Sequence, residues 1–342
     1  MGWYRNGAGM VAAAACLWLG AAQARSVEGW TLVDLGTLGG PGSYGAAVSD
    51  NGIVVGCADV DATSAHAFMY RDGAMRDLGL ATRSNAGHSC ALAVNDRGSV
   101  AGRSGDGELV VWIGGDIAHL GVRGNIGGIN NADVVVGAYV QGAGTRAFKY
   151  ANSAIDTLID DPAGAANAIN ARGEIAGTSS AGAFVYRNGA ISQLGTLGGN
   201  RSDAKGINDA AEVVGLATDA NGQPLSFLYD GAMKALEAPA YSGAVAINNR
   251  GQVVGSAEGS GGYLIDGGQY ARIDTLPPVV AQHWRKLVPT GINNQGWIVG
   301  TGTNPDGDLR AFLLIPGITP VAMKPARDAA VSVSRTSRTS AP

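Results

Sequence analysis

One ten-residue frame recurs along this chain and constrains its fold more than any other feature. At 206–215 it reads Gly-Ile-Asn-Asp-Ala-Ala-Glu-Val-Val-Gly, and it returns at 47–56, 93–102, 128–137, 168–177, 246–255 and 291–300. Each copy opens on a small residue, then Val or Ile, then Asn, with Ser49 replacing Asn in the first copy. Three turn residues and an aliphatic run ending in glycine follow. The closing glycines of the seven copies lie 46, 35, 40, 38, 40 and 45 residues apart. A unit this short cannot bury its apolar face alone, so the copies must pack on one another.

The residues between the copies define the unit. In the first, a run of small residues at 43–49 precedes the valine-rich run at 53–56, an aromatic run follows at 67–70, and Asp72-Gly73 turns the chain into 74–78. The aromatic run recurs at 147–150, 183–186, 226–229 and 311–314. The turn recurs at Asn188-Gly189, Asp230-Gly231 and Asp266-Gly267, which are two-residue hairpin signatures. Four short antiparallel strands in about 40 residues is the size of one propeller blade. The expected fold is therefore all-β, a seven-bladed β-propeller of four-stranded blades. A parallel β-helix ranks second, because its rung needs roughly half that length. The run at 30–35 matches a fourth strand that has no strands before it, and the last unit stops after its third strand near Leu314. The N-terminal strand is thus expected to complete the last blade and close the ring, which removes exposed sheet edges.

Composition agrees with that class. Charged residues make up 15% of the chain, against roughly 25% in an ordinary soluble domain, and 54 of the 342 residues are glycine. The formal net charge of -4 and the scattered lysines exclude a nucleic-acid surface. Residues 1–24 read as a signal peptide, with Arg5, an apolar core at 10–19 and Ala22-Gln23-Ala24 as the cleavage site. No later run reaches the roughly 18 apolar residues of a membrane span. The reading is an exported monomer, in periplasm or medium, with one propeller domain at 25–322 and a disordered Ser/Thr/Arg/Ala-rich tail at 323–342. Export leaves two cysteines, Cys57 and Cys90. The blade frame puts them at one face on neighbouring blades, and a disulfide between them is expected.

The repeat grammar resembles the bacterial extracellular family named for its His-Ala-Phe motif, the HAF repeat. The resemblance rests on 35–40 with Ser43, Val48, 52–56, His66-Ala67-Phe68, Asp77-Leu78 and the second Leu-Gly-Thr-Leu-Gly-Gly at 194–199. It covers about 30–314. Only the first unit keeps the histidine, and units two and six lose the Ala-Phe. The resemblance implies export and a repeat β architecture. It carries no catalytic residue over.

Features present in every copy build the scaffold, so the repeated Asn and Gly read as structural. Function belongs where the copies differ, on the face that collects the connections from fourth to first strands and from second to third strands. That face is expected to gather Arg83, His88, Arg123, Arg201, Tyr241, His283, Trp284 and Arg285 as a cup for an anionic or sugar-like ligand. Arg pairs bidentately with carboxylates, and aromatic rings stack on sugars. His283-Trp284-Arg285 interrupts the longest loop, 277–290, although a Trp in a loop commonly serves as a packing lid. The leading reading is a non-catalytic propeller that binds a glycan, envelope component or protein. The alternative is a polysaccharide lyase, with His283, His88 or Tyr241 as base and Arg285 neutralising a uronate carboxylate. Acidic turns at Asp219-Ala220-Asn221-Gly222 and Asn304-Pro305-Asp306-Gly307-Asp308 offer oxygens of the kind Ca²⁺ takes. Neither fits a full calcium loop and both read as plain turns, so no metal or other cofactor is assigned.

Overall fold

A computed structural model describes residues 25–27, 29–81, 87–259 and 261–317; the signal-peptide and tail assignments (1–24, 323–342) and Arg83 lie outside the described residues. The described chain is all-β and β-propeller-like. Its only helical elements, among the described residues, are a 3-10 turn at Ile273–Thr275 and a short helix at Pro277–Ala281.

Four antiparallel sheets each contain four strands consecutive in the chain. The first holds Ser43–Val48, Val54–Asp59, Ala65–Arg71 and Ala74–Asp77, in that order. The others begin at Ala165–Ile169, Gly198–Ile207 and Ser242–Ile247. A seven-stranded sheet covers repeats two and three, because the 14-residue strand Asp116–Ile129 belongs to both. Its first part pairs with Glu108–Ile113 and its second part with Val135–Gln141. The last sheet has five strands, not the expected four: Arg285–Ile292, Ile298–Thr303 and Leu309–Pro316 are joined by Trp30–Asp34, in register from Trp30 opposite Pro316 to Asp34 opposite Phe312, and Arg25–Val27 pairs on its outer side. The hairpin turns behave as expected at Asp72-Gly73 and Asn188-Gly189, where both residues have positive φ.

The core lies between sheets. Ile53, Val55 and Ala67 of the first repeat pack with Ala91, Val100, Val110 and Trp112 of the second, and the other clusters also join adjacent repeats. Each third strand contributes one large ring: Phe68, Trp112, Phe148, Phe184, Phe227, Tyr263 and Phe312 are all buried. These rings explain the glycine that closes the frame. A Cβ on Gly56 would meet the Phe68 ring and the Tyr44 carbonyl, and one on Gly215 would meet Phe227 and the Asp203 carbonyl. The closing glycine therefore sits inside the second strand and permits close approach there; it is not a turn residue.

The repeated Asn does two jobs. In the copy at Asn208, Oδ1 accepts from the backbone N–H of Ala210 and of Glu212, both at 3.0 Å, and closes the turn. Its Nδ2 donates to the carbonyl of Asn248 in the next repeat at 3.2 Å. The same donation runs from Asn95 to Asn130, Asn130 to Asn170, Asn170 to Asn208, Asn248 to Asn293 and Asn293 to Ser49, at 2.8–3.3 Å. Ser49 has no amide to pass on. There Asn51 Nδ2 donates to the Asp96 carbonyl at 2.6 Å, and the Asp50 N–H donates to Asp96 Oδ1 at 2.7 Å. The left-handed backbone position of the turn falls three residues after the Asn, at Gly98, Asp133, Gly173, Ala211, Gly251 and Gly296. The preference for Asn thus rests on its amide.

Every first strand also carries an irregularity at one place, such as Gly45/Ala47, Ala204/Gly206 and Pro289/Gly291. The others fall at Ala91/Ala93, Ile126/Gly128, Ala166/Ala168 and Ala244/Ala246. One residue is skipped in each register: Ala46, Leu92, Gly127, Asn167, Lys205, Val245 and Thr290. A β-bulge of this kind re-aims a side chain. Here all seven skipped residues line an axial cavity of about 260 Å³.

Asn208→Ala removes two turn acceptor bonds and one bond between repeats from a buried site. The expected cost is about 2–4 kcal/mol, read by urea denaturation. Asn208→Asp keeps the acceptor but sets a second carboxylate against Glu212 Oε2, which the Asn208 amide meets at 2.6 Å, so it should lose at least as much.

Candidate binding face and axial cavity

The first strands run from the loop-rich end of the molecule to the Asn turns, so the axial cavity has two unlike ends. At the Asn-turn end a mouth of about 200 Å³ is ringed by Asp50, Asp96, Asn131, Asp209, Asn249 and Asn294. These groups bond to one another around the ring. Asn294 Nδ2 donates to Asp50 Oδ2 and Asn249 Nδ2 to Asp209 Oδ2, both at 2.6 Å. Val48, Val94, Ile129, Ile169, Ile207, Ile247 and Ile292 line both the mouth and the cavity, as an aliphatic layer between them. Toward the loop-rich end comes the bulge layer with Lys205.

The expected cup residues that the structure describes lie on the loop-rich face but do not share one cleft. His88 is exposed and lines a cleft of about 430 Å³ with Tyr44, Arg103 and the two cysteines. Cys57 and Cys90 form a disulfide there, with Cα atoms 4.7 Å apart, joining the first two repeats. Tyr241 lines a second cleft, of about 360 Å³, with Asp203, Lys205 and Glu258. Arg201 stands beside it, its guanidinium 3.0 Å from Asp203 Oδ2. A third cleft, of about 480 Å³, is lined by Asp274, His283, Trp284, Arg285 and Pro305. Arg123 is exposed near Asp106, whose carboxyl is held below the usual range by the Ser104 hydroxyl and further by the field of Arg123.

The longest connection differs from its expected form. The segment 277–290 is ordered as helix and strand, with Pro277 and Pro278 at the start of the helix and Pro289 inside strand Arg285–Ile292. Trp284 is 5% exposed and meets Phe312 edge-on with ring centroids 6.4 Å apart. It closes the core, while His283 and Arg285 on either side face solvent.

Other titratable groups are occupied internally. His66 Nδ1 lies 2.8 Å from Asp77, and His119 Nδ1 lies 2.9 Å from Glu108. The acidic turn at Asp219 uses Oδ1 to accept from the Asn221 and Gln223 N–H groups, at 2.9 and 2.8 Å, and these bonds lower its pKa. Asn304 Oδ1 likewise accepts from the Asp308 N–H at 2.9 Å. No group of three or more metal-ligating side chains occurs among the described residues.

Two features were not anticipated from sequence. The lysine of the bulge layer was one of several scattered lysines until the register placed it on the axis. Six of the eight large apolar side chains strongly exposed among the described residues (Tyr44, Val140, Tyr241, Val280, Val288, Leu309) fall at the loop-rich end. Tyr241, His283 and Lys286 there have φ of 58°, 56° and 54°, and Asp72, Asp133, Asn152, Ser153, Asn188 and Ala211 share that conformation in turns at the opposite end.

No family model matches the chain, and no curated protein matches it in sequence. Solved structures of similar shape include the extracellular domain of a one-component system from B. thetaiotaomicron, at 11% identity and a TM-score of 0.48. The match covers 83% of this chain and 40% of that one. An acylaminoacyl peptidase from Pyrococcus horikoshii matches at 12% identity and 0.46, over 79% of this chain and 52% of its own. Apo AztD from Citrobacter koseri matches at 15% and 0.41, over 86% and 89%. The chain thus spans about half or less of the first two.

Two outcomes test this geometry. Replacing Cys57 and Cys90 together by Ser opens a link of sequence separation 33, with an expected loss of about 3–4 kcal/mol. Intact protein should show no thiol reactive to Ellman's reagent after unfolding without reductant. Separately, burial pushes the Tyr263 hydroxyl up to about 12, against bonds with Ser226 and Ser242 that pull the other way. The folded state therefore holds this proton more tightly than the unfolded chain, whose tyrosine ionises near 10.0. The contribution is whole below pH 10 and is lost as pH rises through 12, by about 2–3 kcal/mol in total. Tyr263→Phe should flatten the fall in stability across that window in alkaline denaturation.

Proposed function

We propose that this chain is an exported, non-catalytic binding protein that adsorbs a glycan, envelope component or protein on its loop-rich face. In this reading 1–24 is a removed signal peptide and 25–322 forms one propeller of the HAF-repeat kind. It has seven four-stranded blades closed by Trp30–Asp34, with 323–342 as a tail. Six Asn turns and the Ser49 turn, seven bulges and the pairing of Trp30–Asp34 with Leu309–Pro316 support the blade count and the closure. The Cys57–Cys90 disulfide suits an oxidising compartment, and no described helix is long and apolar enough to cross a membrane.

The observation that carries the binding reading is the spread of polar and apolar groups over one face. His88, Tyr241 and the pair His283/Arg285 line three different clefts, with six exposed apolar side chains on the same face. An extended or polymeric ligand can engage several such clefts at once. The lyase alternative needs a base within hydrogen-bond reach of the abstracted proton and an Arg on the adjoining carboxylate. Two of the three clefts hold a histidine together with an arginine, His88 with Arg103 and His283 with Arg285, and in the second Asp274 opposes an anionic substrate.

Mature protein applied to an array of acidic and neutral polysaccharides should retain ligand without ultraviolet-absorbing unsaturated product. Tyr241→Ala and Arg285→Ala should each weaken retention severalfold and together more than either. Unsaturated product would return the protein to the lyase class. Retention indifferent to both variants would remove the loop-rich face from consideration.

A further inference from the structure

The cleft over the Cys57–Cys90 disulfide differs from the other two in charge. Its lining holds His88 and Arg103 and no carboxylate. The cleft of Tyr241 holds Asp203 and Glu258, and that of Arg285 holds Asp274. Arg201 is already paired with Asp203. Arg103 is exposed and takes part in no ion pair or side-chain hydrogen bond among the described residues. The acid nearest to it in the following turn, Asp106, accepts from the Ser104 hydroxyl and lies in the field of Arg123. Arg103 directly follows the closing glycine of its repeat, a position that is uncharged in the other six copies. Its charge therefore belongs to this repeat and not to the scaffold. Backbone pairing sets the rest of the cleft. Tyr44 lies opposite Cys57, Cys90 lies opposite Arg103, and the disulfide joins the two pairs with Cα atoms 4.7 Å apart. Paired strands bring Cα atoms to about 5 Å, so those of Tyr44 and Arg103 are at most about 15 Å apart. His88 is held by a backbone bridge to Ala65 of the first repeat. Tyr44 is 46% exposed, and the exposed lining of the cleft is mostly apolar.

We propose, resting on the glycan reading of the loop-rich face, that this cleft binds a uronate residue of an acidic polysaccharide, with its carboxylate on Arg103 and its ring against Tyr44 and the disulfide. A guanidinium donates two parallel N–H bonds to a carboxylate, and the absence of an acid from the lining leaves that charge unopposed. An apolar surface with a few placed polar groups suits the C–H face of a sugar ring. A free phosphate or sulfate needs donors on several sides, which this lining does not offer. The volume of about 430 Å³ falls within the roughly 300–1,000 Å³ of small-molecule clefts. The disulfide fixes the first two repeats, and with them Tyr44 and Arg103, before a ligand arrives. A cleft held open in this way loses little freedom on binding.

Isothermal titration of the mature protein with trigalacturonate, its methyl ester and tetraglutamate tests this. Trigalacturonate should bind, more weakly as salt rises. The ester, which keeps the rings and loses the charge, should bind at least about tenfold more weakly. Arg103→Gln should lose about tenfold or more in trigalacturonate affinity, and Arg103→Lys, which keeps the charge but not the fork, should lose less. Tyr44→Ala should weaken binding severalfold. Lys234→Gln, which removes a positive charge near the Asp230-Gly231 turn, should leave affinity unchanged and so separates this cleft from general attraction. Tyr44 and Arg103 are exposed, so thermal midpoints of their variants should match wild type. The proposal is overturned by no trigalacturonate binding, by equal affinity for the ester, by indifference to Arg103→Gln, or by tetraglutamate binding as tightly. Glycans retained on the array through Tyr241 and Arg285, with trigalacturonate indifferent to Arg103→Gln, would remove this cleft and leave the loop-rich face standing. Silence in both experiments would remove both.

Discussion

The fold depends on a side-chain amide that is used twice. A turn that brings two strands together near an axis leaves backbone N–H groups buried, and each must find an acceptor. The Asn carbonyl accepts two of them. Its amino group then donates to the carbonyl of the next Asn, and in the copies at Asn170, Asn208 and Asn248 also to the Glu or Gln side chain four residues on. Aspartate could close the turn but could not donate onward, and serine can do only part of either job. The one copy with serine shows the consequence. Ser49 Oγ still accepts from the Ile53 N–H at 3.1 Å, but the link to the next repeat passes to Asn51 and Asp96. Local turn chemistry and the joining of repeats are thus one constraint, and the frame recurs because neither half can change alone.

A second constraint acts at the middle of each unit. A buried ring from the third strand lies over the second-strand glycine, and the bulged first strand presses a carbonyl on the same atom. Ring size varies, from Phe to Trp112 to Tyr263, and the neighbours adjust. Where Tyr263 replaces Phe, its hydroxyl lies 2.6 Å from Ser226 Oγ, which lies 2.8 Å from Ser242 Oγ, so the added polar atom is satisfied within the core. The glycine does not vary, because its contact is with backbone that has nowhere to move.

Much of this was legible from the residues. Strand order, the four-stranded sheets of four repeats, the turn at Asp72-Gly73 and the pairing of Cys57 with Cys90 follow from the spacing of copies and from which end each connection must occupy; the seven-stranded and five-stranded sheets do not. What escaped was direction. A string of letters does not show that the extra residue in Ala-Lys-Gly is looped out of register, so Lys205 read as surface charge. The Pro-rich segment before Trp284 read as loop, because a five-residue helix and an edge-on contact with Phe312 leave no periodic trace. The candidate site was legible only as a face. Its division into three clefts depends on loop paths, and those are set by contacts between repeats that no single repeat encodes.

The division between constant and variable positions now has a physical basis. A residue is held constant where its side chain satisfies the neighbouring repeat, as with Asn208 and Phe227, or where its lack of one admits the neighbouring strands, as with Gly215. It is free where the backbone has been taken out of pairing, and there are two such sets: the outer connections and the bulge layer. Both lie toward the loop-rich end, while the Asn-turn end is locked by reciprocal bonds such as that from Asn294 to Asp50. A scaffold so divided has one end whose chemistry can change without cost to the fold. On that end, His283 takes the left-handed angle that ends the short helix, and Lys205 lines a cavity whose other residues are uncharged.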